Sequence, residues 1–437
     1  MFKKCLVSVL ILALSISMTL SFTPLASAKI KIRYAHWGAN PELEAAIKAF
    51  NVSQDKIEVV FEPMADYTTK MIIQLAVGTA PQVFSTGYWA ALPTWMRRGV
   101  LKDLTPLIER DKKELGLEDV PPMALKMCQY KGRYYAFPLR LNAGWGVWYN
   151  ITMMKNAGLS EPTSNWTVND FIDYALKLTI KDKKVYGTAS ISFDVARDHI
   201  LQVLKGTFLY SIDGTRFLGD TAKVREGFAF VSNLLRKEIA PPRSLAIQLG
   251  PGGQPSFGFQ YGNIGMQFVE VNAVVWVLVI KDKFEWNCVM PPRDPVTRKY
   301  YPQTIDPEFV SISATATQEE TEAALEFIKF WSSEAGVKAA REGPGFLQLL
   351  PIHRKLMVKY FANPINPEAK KLNLKMWTSE MVNLVKYPMN VPAYNAEKIG
   401  DLLTNEYDKF WDGKITANQF LDTVTPKVNA LLKEAKE

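Results

Sequence analysis

Residues 142–150 read Asn-Ala-Gly-Trp-Gly-Val-Trp-Tyr-Asn, which puts two indoles, a phenol and two amides in one short run. Rings this dense either fill a core or present a flat apolar plate with an N–H or O–H at its rim. Glycines on both sides of Trp145 weaken regular structure and let the backbone be approached closely. That singles out Trp145 as a platform, its ring left open by a low backbone, with Trp148 packed behind it. Arrangements that would do covalent chemistry are not found. The chain has no His-Glu-x-x-His, no Gly-x-Ser-x-Gly and no Gly-x-x-x-x-Gly-Lys-Ser/Thr. The 3 histidines, His36, His199 and His353, are scattered without metal-ligand spacing, so neither a metal nor a cofactor is expected.

Alternating strands and helices position these residues. Ile30, Ile32 and Tyr34 alternate with Lys29, Lys31 and Arg33, the period of a strand, and Pro41-Glu42 opens a helix through Phe50. Lys56 to Phe61 reads as a second strand, Tyr67 to Val77 as a helix stopped by Gly78, and Pro81 to Ser85 as a third strand. A helix follows over Leu92 to Arg98. After Gly132 the pattern returns: a short strand at 133–138, the extended aromatic run, and a helix ending at Gly158. A helix then opens at Thr167 with a capping-box spacing that uses Asp170. Val185 to Ser192 and Phe309 to Ile312 read as strands, Thr317 to Ser332 as a helix, and the chain is helical from about Pro364. Such alternation predicts an α/β fold with crossover connections.

The first 28 residues have a basic start at Lys3 and Lys4, an apolar stretch from Leu6 to Leu20, and Ala26-Ser27-Ala28. This is the layout of an export signal cut near Ala28, with no lipid-anchor cysteine at the cleavage site. The mature chain of 437 − 28 = 409 residues exceeds what one core usually supports, which predicts two domains. No later apolar run is long enough to span a bilayer, so the product should be periplasmic or extracellular. Net charge is +8, or +6 without Lys3 and Lys4, from interspersed residues with no basic stripe or nucleic-acid module. Cys128 and Cys288 remain after cleavage and read as buried free thiols rather than a bridge.

The ordered series of segments resembles a known family. It comprises Trp37-Gly38 after the first strand, YTTKMIIQLAVGTAPQV from Tyr67, GVLKDLTP at 99–106 and KGRYYAFP at 131–138. YNITMMKNAGL at 149–159, YGNIGM at 261–266 and LLPIHR at 349–354 complete it. Together these are similar to the extracellular solute-binding proteins of ABC importers, in the large sugar-binding family that includes maltose-binding protein. Two departures mark a distinct subfamily: Gln82 replaces the usual aspartate after Pro81, and the helix after Tyr149-Asn150 begins Ile-Thr-Met-Met without the common acidic pair. The resemblance implies a two-lobed, type II-like binding-protein fold. Residues 29–139 with 290–342 would form the N-terminal lobe, and 140–289 with 343–437 the C-terminal lobe. Crossings are expected near 138–141, 289–292 and 343–350, with a ligand cleft between lobes that close by a hinge.

A sugar has one apolar face and a rim of hydroxyls, so it needs ring plates and fixed polar groups. Residues in loops after strands are the candidates: Trp37, Tyr88, Trp89 and Trp145 as plates, with Arg140 and Asn142 beside Trp145 for hydroxyls. The resemblance adds Glu270 and Asn272 after the Ile-Gly-Met-Gln-Phe segment, Tyr67, and Tyr394 near the C-terminus. The reading is a monomeric carbohydrate receptor, biased towards oligosaccharides, that delivers its ligand to a membrane permease. Two alternatives stand beside it. One is a charged solute (sugar phosphate, uronate or polyamine), with Arg140 and Arg197 as partners for an anion. The other is a secreted carbohydrate-active enzyme using paired carboxylates.

Overall fold

Strand β1 (Ile30–His36) buries Ile32 and Tyr34 as the alternation predicts, but it buries Ala35 and His36 as well. Burial on both faces is what a parallel sheet covered by helices requires. β1 lies between β2 (Ile57–Pro63) and β3 (Val83–Thr86), parallel to both. The computed structural model describes residues 29–87, 92–211, 214–245, 258–388 and 396–434. A short hairpin, β4 (Gln129–Tyr130) and β5 (Arg133–Tyr134), precedes β6 (Phe137–Ala143). Strands β7 (Gly146–Asn150), β8 (Tyr186–Thr188), β9 (Ile264–Val269) and β10 (Trp286–Val289) follow. The last three are β11 (Gln303–Ile312), β12 (Leu350–Pro351) and β13 (Val385–Pro388).

These strands form two principal sheets. The larger has seven strands in the order β12-β6-β11-β3-β1-β2, with β13 paired to β11; the smaller has the order β10-β7-β9-β8. β6 and β11 are antiparallel to each other, and β11 is antiparallel to β3. β6 keeps the chain in the larger sheet through Ala143, so the first passage to the smaller sheet falls at 144–145, a few residues beyond the expected 138–141. The return runs between β10 and β11, through residues 290–302.

Local chemistry sets the helix starts. Pro41 occupies the first turn of the helix Pro41–Ser53, and Asn40 Oδ1 accepts from the Leu43 amide at 3.0 Å. Asp170 serves in place of Glu in the capping box of Val168–Leu178: its Oδ2 accepts from the Thr167 amide at 2.7 Å, and Thr167 Oγ1 accepts from the Asp170 amide. The expected strand over Val185 to Ser192 is shorter and ends at Thr188. The expected strand at Phe309 to Ile312 begins six residues earlier, at Gln303.

The aromatic run is explained by β7 being internal to the smaller sheet and buried on both faces. Trp148 enters the core that is continuous with the larger sheet, within 5.2 Å of the Trp286 ring, 6.1 Å of Trp276 and 6.5 Å of Trp377. Val147 and Tyr149 face the second core, built around Phe228, Tyr407 and Phe420. Cys128 and Cys288 are free and buried, as expected, and burial pushes both thiols up, Cys288 to about 12. Among the described residues no helix is long and apolar enough to cross a membrane.

Candidate functional site

The passage at 144–145 brings a polar cluster together where the two sheets meet. From the larger sheet come Asn142 on β6 and Asp306 on β11, which stand opposite each other in register and so share a sheet face. From the smaller-sheet side come Glu270, directly after β9, and Asp198 and His199 on the π-helical segment Val195–Leu204. Irregular helix of this kind recurs at functional sites. Two hydrogen bonds tie the sides: Gln202 Nε2 donates to Thr304 Oγ1 at 2.9 Å, and the Trp145 amide donates to Gln303 Oε1 at 3.2 Å. The Trp145 ring is half-buried, with its centroid 4.3 Å from that of His199.

Several polar atoms here lack a partner. Trp145 Nε1, Asn142 Oδ1 and Asp306 Oδ1 are all buried and make no hydrogen bond among the described residues. A buried polar atom left unpaired is costly, and one at a junction of two units marks a place where something else completes the bonding. Asp198, Glu270 and Asp306 are each no more than 8% exposed. Burial, with the negative charges of Asp306 and Asp198 close by, holds the Glu270 carboxyl well above its usual range. Burial together with Asp198 and Glu308 pushes Asp306 up to about 7. His199 is lowered to about 3 by burial, so its imidazole is neutral and offers no countercharge. Among the described residues no cluster of side chains has the makings of a metal site.

The other expected residues fall in different places. Arg140 was expected beside a loop; it lies within β6, 4% exposed, because two carboxylates neutralise it there. It pairs with Glu42 and, at 3.1 Å, with Glu308. Ser85 Oγ donates to Glu308 Oε1 at 2.9 Å, and the Tyr34 hydroxyl is 2.8 Å from Ser85 Oγ. Tyr67 is buried and its hydroxyl donates to the Ser85 carbonyl. Trp37 is half-buried and packs on His36 and Tyr67, with centroids at 4.5 and 5.8 Å. Arg197 is committed to Asp198, with Nε–Oδ1 at 2.7 Å and Nη2–Oδ2 at 2.6 Å, and to Asp194 at 3.1 Å. Asn272 is half-buried on the helical turn Val271–Trp276 after Glu270. Tyr88, Trp89 and Tyr394 lie outside the described residues.

The flanking glycines of Trp145 have a different reason from the one expected. A Cβ on Gly144 would lie 2.6 Å from Met381 Sδ, and one on Gly146 2.7 Å from Trp377 Cζ2. They admit the C-terminal segment that packs on the passage, and Gly144 also has φ +65°. Sequence reading missed Asp198, His199, Gln202 and Asp306. A signal for Asp306 was the alternation Thr304, Asp306, Glu308 just ahead of an apolar run.

An uncharacterized ABC transporter extracellular-binding protein of Pyrococcus horikoshii is 23% identical over 152 residues, a match spanning 33% of each chain. An ABC substrate-binding protein from Listeria monocytogenes in complex with cycloalternan is 22% identical with a TM-score of 0.76, covering 93% of this chain and 99% of that one. The GacH receptor of Streptomyces glaucescens, solved unliganded and with acarbose, is 15% identical with a TM-score of 0.72, covering 93% and 99%. Maltose-bound MalE3 of T. maritima is 18% identical with a TM-score of 0.69, covering 92% and 100%. These likenesses give the two-lobed binding-protein fold. The model of the family described as bacterial extracellular solute-binding protein matches residues 45–352 of the 437, and the chain belongs to that family.

Proposed function

We propose that the protein is the carbohydrate receptor of an ABC importer, exported by a signal peptide cut near Ala28. It acts as a monomer and hands its ligand to a membrane permease. The observation that carries this reading is Trp145: a half-buried indole whose N–H has no partner, in the seam that also holds the unpartnered oxygens of Asn142 and Asp306. A ring face beside open hydrogen-bonding positions is what one apolar sugar face and its hydroxyl rim require. Cycloalternan, maltose and acarbose in the structures similar to this one support the same class.

Mechanism follows from burial. Asp198, Glu270 and Asp306 come from both sides of the 144–145 passage and are shielded from water. A solute therefore reaches them when the lobes part, and its contacts to both sides favour the closed form. The lobes divide at 144–145, at 290–302 and, rather than at the expected 343–350, after β13. β12 and β13 still pair in the larger sheet, while the helices Ala396–Trp411 and Ala417–Glu434 join the second core. Native mass spectrometry of the freshly purified protein, with an oligosaccharide thermal-shift panel, tests the assignment. Retained or stabilising sugars that stay intact support a receptor. Hydrolysed sugars would make it an enzyme, and stabilisation by non-sugar solutes alone would remove carbohydrate from the proposal.

A further inference from the structure

We infer that the solute is an amino sugar whose protonated amino group sits between the Glu270 and Asp306 carboxylates, an inference that rests on the carbohydrate reading above. The nearby cations are already committed: Arg197 to Asp198 and Asp194, and Arg140 to Glu42 and Glu308. Among the described residues no ion pair reaches Glu270 or Asp306, although both are buried and lie close enough to repel each other and Asp198. Two buried carboxylates without a countercharge are unfavourable when ionised, and a cation between them removes the penalty.

Hydrogen bonding gives an independent reason. The unpartnered Asn142 Oδ1 is an acceptor, on a side chain 9% exposed that faces the same way as Asp306 from the neighbouring strand. Asp306 Oδ1 is an unpartnered acceptor too. These two oxygens call for a group made of donors, and the unpartnered Trp145 Nε1–H is left for an oxygen of the same sugar. An ammonium supplies three donors and no acceptor, whereas a hydroxyl supplies one of its own. The half-buried Trp145 ring adds a flat face, which suits an amine carried on a sugar ring better than an open polyamine chain.

The test is calorimetric titration of the whole exported protein at pH 7.5 with β-1,4-linked glucosamine dimer and trimer, their N-acetylated forms, cellobiose and spermidine. Expected is at least tenfold tighter binding of a glucosamine oligomer than of its N-acetylated form or cellobiose. Asp306→Asn and Glu270→Gln should each abolish that preference for the amine, and their unchanged or raised melting temperatures without ligand would show that folding is intact. Neutral or N-acetylated sugars binding as tightly as the amines would overturn the amino group and leave the carbohydrate reading standing. Failure of both glucosamine oligomers to bind also overturns it, and spermidine binding with no sugar bound would sink the carbohydrate reading itself.

Discussion

Asp306 and Glu308 stand two residues apart on one face of β11, and among the described residues only Glu308 pairs with a cation. Opposite them on β6, Arg140 faces Glu308 and Asn142 faces Asp306. One ladder thus carries a neutralised position beside an open one. The first belongs to the lobe's interior and the second to the seam. Arg140→Met tests this division. It leaves Glu42 and Glu308 buried without their guanidinium countercharge, and breaking such a network costs about 3–5 kcal/mol. Chemical denaturation should show that loss, while ligand affinity of the folded fraction stays within about twofold, a 0.4 kcal/mol change. Selective loss of binding at full stability would place Arg140 in the ligand's contacts instead.

Trp145 and Trp148 should separate in the opposite sense. Trp145 is half-buried, against His199, whereas Trp148 is fully buried among Trp276, Trp286 and Trp377. Trp145→Ala is expected to weaken ligand at least tenfold, about 1.4 kcal/mol, and to move the ligand-free melting temperature little. Trp148→Ala removes a core ring and should cost about 3–5 kcal/mol of stability. Equal destabilisation by both variants would make Trp145 a core residue.

Gly146 links the site to the C-terminal segment. A Cβ there would press on Trp377 at 2.7 Å and on Met376 at 2.8 Å. Gly146→Ala should destabilise by about 1–3 kcal/mol through overpacking, and Trp377→Phe in the same chain should recover part of the loss. Denaturation of the single and double variants, read as a double-mutant cycle, gives the coupling directly. Independent, additive effects would mean that the segment does not lean on this glycine.

How far the sequence disclosed the site depends on which physical rule governs each residue. The run at 142–150 was legible as extended chain, with Trp148 packed and Trp145 freer, because dense aromatics and the glycines flanking Trp145 are local signals. Asp306 was not, since Pro307 and two acids argue against an internal strand. β11 tolerates Pro307 because it sits between the pairing with β13 at 303–305 and that with β3 at 309–312. It tolerates Glu308 because Arg140 arrives from β6, a partner far away in sequence. Arg197 drew attention as a lone cation. Its neighbour Asp198, which it neutralises, is the residue that reaches the cluster, and that orientation is a tertiary fact.

The pH dependence of the ligand-free fold isolates Asp306. Its carboxyl is raised from the ordinary 3.8 to about 7 by burial, Asp198 and Glu308. Below pH 3.8 both folded and unfolded chains hold this proton, and the residue imposes no penalty. Between 3.8 and 7 the unfolded chain releases the proton and the folded chain keeps it, so stability falls as pH rises; above 7 the loss is complete. His199, lowered to about 3, works the other way, losing stability as pH drops below 6.5. A single melting curve mixes these opposing slopes, as well as that of Glu42, which burial raises to about 7. Asp306→Asn removes one of them. Its stability relative to the wild type should rise steadily between pH 4 and 7 by on the order of a few kcal/mol and then level off. A difference that stays flat across that window would mean that Asp306 is ionised in the folded protein without penalty, already balanced by a charge of the protein itself.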